Sequence, residues 1–265
     1  MSVLEVLRQK RNVRILTVLA CSVGLALGLV WGVTAEGPPD AHAQGIGVIR
    51  YVLDDGGVDT GACTDNQNPC RTIQYAVAQA HDGDKVQVAN KFARAVYTGP
   101  VVLDRSIVLQ GGWIVVPTPN VDLWRRPLPC EASRTVIDGG GVDRAVVITG
   151  DVAPTVDCFT LTGGDATGLG GGATLDNDAG GGLYSTDAAP ILINNVITAN
   201  VASRAPVTPL SPQGGGVCGW GGGLYLRGAP ATTVISNNLI ANNVAGAPGC
   251  GHGGGMGLEN SAAQV

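Results

Sequence analysis

The chain has 265 residues, of which 41 are Gly, 45% are hydrophobic and only 14% are charged, with a formal net charge of −5. Gly at about twice its usual share without a Gly-X-Y period excludes collagen, and so apolar a chain is not a disordered one. The acidic balance excludes a nucleic-acid binder, whose footprint is a basic face. Aromatic residues at 4% leave the core to Val, Ile, Leu and Ala.

Arg8, Lys10, Arg11 and Arg14 open the chain, the uncharged run from Ile15 to Val33 follows, and Ala41-His42-Ala43 makes a small-x-small cleavage pattern. Residues 1–43 read as a secretory signal peptide. An uncleaved N-terminal anchor is the alternative, because the apolar run nearly spans a bilayer core. In both readings the basic residues stay in the cytoplasm and residues 44–265 lie outside. Contact with a membrane is expected only through this N-terminal segment. Six cysteines follow it: Cys63, Cys70, Cys130, Cys158, Cys218 and Cys250. An even number in an exported chain reads as disulfides before it reads as metal.

Next along the chain, Ile73, Ala76, Val77 and Ala80 fall at i, i+3, i+4 and i+7, which predicts a helix over Arg71 to His81 with one apolar face. After it the pattern is short apolar runs separated by Gly, Asn and Asp. Val86–Val88, Val101–Leu103, Ser106–Leu109, Thr135–Ile137, Ala145–Ile148 and Thr155–Leu161 read as strands. The second half repeats itself. Gly180-Gly181-Gly182-Leu183-Tyr184 matches Gly221-Gly222-Gly223-Leu224-Tyr225, then Gly253-Gly254-Gly255-Met256. Asn194-Asn195-Val196-Ile197 matches Asn237-Asn238-Leu239-Ile240. Unequal spacing between matching units predicts a solenoid with loops of variable length. Each unit is too short to close a core, so the units must stack as a parallel β-helix of residues 44–265. The helix then serves as an N-terminal lid. Asn at the bends tolerates a left-handed backbone and bonds to the Asn above, and Gly fits where a Cβ would clash.

Cys70-Arg71-Thr72-Ile73-Gln74, Ala80-His81-Asp82-Gly83-Asp84-Lys85-Val86, Leu109-Gln110-Gly111-Gly112-Trp113 and Phe159-Thr160-Leu161-Thr162-Gly163-Gly164 resemble bacterial exported right-handed parallel β-helix repeat proteins of the pectin-lyase-like fold. The Gly-Gly-Gly-Leu and Ile-x-x-Asn units are similar to repeats of polymorphic outer-membrane proteins, where Phe usually stands at the positions of Ile197 and Ile240. The resemblance covers about residues 48–265. It implies an all-β, right-handed parallel β-helix with a short N-terminal capping helix. The group includes adhesins, passenger domains and polysaccharide-degrading enzymes.

Stacking the glycine triplets puts Cys218, three residues before Gly221, over Cys250, three before Gly253. The strand spacing suits a disulfide, so Cys218–Cys250 is expected. Cys63–Cys70 is expected across a short loop, and Cys130–Cys158 remains by subtraction.

Chemistry is sparse. His252 lies in a Gly-His-Gly tripeptide that matches polygalacturonase-like hydrolases, but the paired aspartates expected from preceding rungs are missing. His81 reads as an exposed turn residue. Asp165, Asp176 and Asp178, within the loop from Gly163 to Gly182, are the candidate calcium ligands; alternating oxygens beside a flexible glycine suit that cation. A solvated insertion loop is the competing reading, and it is preferred. Calcium is the one cofactor considered. Trp113, Trp124 and Trp220 are candidates for stacking on sugar rings, with partial burial as the simpler account. The expected role is a cell-surface or extracellular structural and adhesive protein, with extracellular glycans or a neighbouring cell surface as partners. A calcium-assisted polysaccharide lyase or glycoside hydrolase is the alternative. The last triplet begins a rung that reaches Val265 without its Asn segment, so the β-helix is expected to be incomplete there, as in a fragment of a longer surface protein.

Overall fold

The computed structural model describes residues 47–173, 177–206, 217–246 and 250–265. The stretch read as signal or anchor lies outside them. In chain order the first strand β1 (Ile49–Leu53) is followed by helix α1 (Ile73–Gln79). One turn then gives β2 (Lys85–Asn90), β3 (Ala95–Thr98) and β4 (Val101–Leu103). The next gives β5 (Val108–Pro117), β6 (Asp122–Arg125), β7 (Thr135–Asp138) and β8 (Val146–Thr149). Beyond these come β9 (Thr155–Asp157), β10 (Thr160–Thr162), β11 (Asp178–Ala179) and β12 (Leu183–Thr186). The following turn is β13 (Ile191–Ile193), β14 (Val196–Thr198), β15 (Gly219–Trp220) and β16 (Leu224–Arg227). The last is β17 (Val234–Ser236), β18 (Leu239–Ala241), β19 (Gly251–His252) and β20 (Met256–Glu259).

Every strand but β6 pairs with its equivalent one turn away. The first face runs β1-β2-β5-β9-β13-β17, the second β3-β7-β10-β14-β18 and the third β4-β8-β12-β16-β20, with the short sheet β11-β15-β19 between the second and third in chain order. All these pairs are parallel. The chain is a parallel β-helix.

Register explains why such short strands suffice. Val86, Leu109, Val156, Leu192 and Ile235 form one inward column. Tyr97, Ile137, Leu161 and Ile197 form another, and Val101, Val146, Leu183 and Leu224 a third. All thirteen are buried in one core. A single rung could not enclose these side chains, but each column shields its members from water along the stack. Helix α1 begins where the Thr72 hydroxyl accepts the Tyr75 N–H, and it seats Ile73, Ala76 and Val77 on that core. It lies against β1 and β4, terminal strands of their sheets, and so lids one end.

The bends divide labour between neighbouring residues. Asn194 and Asn237 are left-handed, with φ of 58° and 54°, and their side chains bond to each other at 2.6 Å. Beside them, Asn195 and Asn200 are buried at 2% and 0% exposure. The Asn200 carboxamide accepts the Gly164 N–H, donates to the Leu161 carbonyl and donates to Asn243, so it joins three rungs. There the left-handed residue is Ala199. Among the triplets, Gly180, Gly221 and Gly253 take positive φ. At Gly222 a Cβ would lie 2.3 Å from the Val244 carbonyl oxygen.

Three features differ from the sequence expectation. The run Thr155–Leu161 is two strands, because Cys158 turns the chain at φ 67°. The helix is shorter than Arg71 to His81. Strands β5 and β6 form an antiparallel hairpin whose Trp113, Val115 and Trp124 build a small second core with Leu53 and Ala89. After β20 the backbone reaches the first face again, where Gln264 pairs with Val234.

Disulfides join Cys63 to Cys70, Cys130 to Cys158 and Cys218 to Cys250, with Cα separations of 5.2, 6.4 and 4.8 Å. The register that pairs Gly219 with Gly251 sets Cys218 directly against Cys250.

Candidate functional site

Three aspartates drew attention to the loop between β10 and β12. Asp176 lies outside the described residues. Asp165 and Asp178 are 5% and 1% exposed, and the reason is that the loop is folded around them. The Asp178 carboxylate accepts the backbone N–H groups of Gly168 and Gly170 on one oxygen and the Ser203 hydroxyl on the other. One oxygen of Asp165 accepts from the Thr167 backbone and hydroxyl, and the other accepts from Arg204. All four oxygens thus face donors supplied by the protein. Burial opposes ionisation of Asp165, but the bonds from Thr167 and Arg204 outweigh it and hold its pKa below the ordinary carboxylate value. Asp165 and Asp178 tie the loop to the next rung. A cation entering there would have to displace these donors, and among the described residues no three His, Cys, Asp or Glu side chains converge as a metal site.

The same loop covers an aromatic stack on the outside of the third face. Tyr184 and Tyr225 are register partners and stack at 5.9 Å with their planes 13° apart. Arg144 lies over the Tyr184 ring at 4.4 Å. Its guanidinium also donates to the carbonyls of Ala179 and Gly170, and burial pushes its pKa down. The Tyr225 hydroxyl bonds to Glu259; burial first, and then that carboxylate, push the phenol pKa up. Trp220 stands over the position of Ala179 in β11, and exposed His252 stacks on it at 4.4 Å. The indole N–H of Trp220 is buried and finds no acceptor among the described residues. Periodicity could reveal Tyr184 over Tyr225, since both follow a glycine triplet. It could not reveal Arg144, which comes from another rung.

The remaining candidates have local roles. Trp113 donates to Gln110 and Trp124 to the Asn66 carbonyl, both within the hairpin that braces the Cys63–Cys70 loop. His81 is exposed, and its backbone N–H bonds to Asp84. His252 makes no hydrogen bond to a carboxylate among the described residues.

Asp84 anchors the lid. It accepts the Val48 and His81 N–H groups and two bonds from Arg50, with both side chains 5% exposed. Burial disfavours its charge, yet those donors together hold its pKa below the ordinary value.

A scan of protein-family models, a search of curated proteins and a search of solved structures each return no match.

Proposed function

We propose that the chain is an exported β-helix with a structural and adhesive role at a cell surface or outside the cell, its loops carrying recognition of glycans or of a neighbouring surface. Under this reading it is a relative of the bacterial exported right-handed β-helix repeat proteins. The observation that carries the proposal is the set of three disulfides. Such bonds persist in an oxidising compartment and are rare in the cytosol. The role is read as non-catalytic because Asp165 and Asp178 are committed to protein donors, which supports a scaffold over a calcium-assisted lyase or hydrolase. Alkylation of the full chain in intact producing cells with a membrane-impermeant thiol reagent, before and after reduction, tests it. Six cysteines that react from outside only after reduction are the expected result. Thiols reactive without reductant, and reachable only after lysis, would refute export.

A further inference from the structure

A cleft of about 370 Å³ opens where the start of the lid meets the first full rung. Its polar wall is Asp54, Arg71 and Thr98, and its exposed apolar side chain is Val96, with Ile73 beneath it in the core. The Asp54 backbone is pinned, because its N–H donates to the Tyr97 hydroxyl and that hydroxyl donates to the Ala89 carbonyl. The Asp54 carboxylate accepts from the Asp55 N–H, and its own backbone N–H also favours the charged form. The Arg71 guanidinium makes no hydrogen bond or ion pair among the described residues, although its charge reaches Asp54. Burial first, with the Asp55 charge, raises the Asp54 pKa by more than the Asp55 and Asp54 backbone N–H groups and Arg71 lower it. An acid and a base therefore face one cavity without closing on each other. Asp54 is half-buried and Arg71 exposed, whereas the buried acids Asp84, Asp165 and Asp178 accept from several donors of the protein itself.

We infer that this cleft binds one or two rings of a neutral saccharide. An anion would be repelled by Asp54 and a cation by Arg71. A sugar hydroxyl both donates and accepts, so adjacent hydroxyls match a carboxylate acceptor, a guanidinium donor and the Thr98 hydroxyl together. The C–H face of a pyranose fits the exposed Val96 side chain. The volume lies at the small end of ligand pockets, which limits the occupant to one or two rings. This assignment rests on the cleft alone and stands or falls separately from the location of the chain.

Saturation-transfer NMR on the full chain, with a panel of neutral mono- and disaccharides and a parallel panel of free amino acids, tests it. Binding of at least one saccharide is expected, with affinity reduced at least tenfold in both Asp54→Asn and Arg71→Gln. A thermal melt and intact disulfides must first show that each variant is folded. Trp220→Ala, on the other flank, should bind as the parent does. The inference is overturned if no saccharide binds, if binding survives both cleft substitutions, if it is lost in Trp220→Ala, or if amino acids bind in place of sugars.

Discussion

Asp84 shows how a polar residue governs an apolar fold. It lies between Asp82-Gly83 and the core strand β2. In the structure its carboxylate gathers donors from β1, from the turn and from the chain before β1, so it locks the lid to the stack. Ionised Asp84 is favoured by the fold over the unfolded chain. Its contribution is therefore complete above the unfolded carboxylate value of about 3.9 and is lost as pH falls through the lower folded value. Asp165 acts in the same direction. Asp54, with its raised pKa, acts in the opposite one: its contribution is complete below the unfolded value and is lost as pH rises through the folded value. Asp84→Asn removes the charge and leaves Arg50 buried without its partner, at an expected cost of about 3–5 kcal/mol. Denaturant unfolding across the acid range should show that deficit at neutral pH and a flatter acid limb than the parent. A parent-like acid limb would mean that the charge of Asp84 does not set it.

At the scale of elements, the glycine triplets are the clearest case of sequence pattern becoming geometry. The first glycine bends the chain and the second lets the neighbouring rung pass close. Gly222→Ala would press a Cβ against the Val244 carbonyl, with the Gly254 carbonyl 2.8 Å away on another side. A loss of about 1–3 kcal/mol is expected from overpacking. Gly255 occupies the third place of the last triplet, where a Cβ would meet only the Ile240 side chain at 3.5 Å. Gly255→Ala should therefore leave the unfolding midpoint near that of the parent. Equal effects at both positions would show that rung approach is not what selects glycine here. The repeats were legible because their spacing survives in the chain. The β5–β6 hairpin was not, since Trp113 and Trp124 are explained only by the Leu53 and Ala89 surface they cover. The break at Cys158 was equally hidden, because a left-handed cysteine has no compositional mark.

For the molecule as a whole, stacking makes stability local, since each rung rests chiefly on its neighbours. The Cys218–Cys250 disulfide closes a sequence separation of 32 residues, and such a bond contributes about 2–4 kcal/mol. Replacing both cysteines with serine should lower hydrogen-exchange protection in β16 to β20 and leave β2 and β5 at parent levels. Uniform loss of protection would mean that the solenoid unfolds as one unit. The candidate site divides in the same way between what was readable and what was not. Asp165 and Asp178 stood out as oxygen donors in a glycine-rich loop, but their partners Ser203 and Arg204 lie one rung away. Asp54 and Arg71 face one cleft because β1 and the lid meet, although 17 positions separate them in the chain. By itself the sequence determined the β-helix, its lid and the register of its repeats, because these follow from the periodicity of apolar, Asn and Gly residues along one chain. Only the tertiary structure decided which carboxylates are satisfied and which are left facing a cavity, because a carboxylate's partners come from other rungs and no local pattern records them.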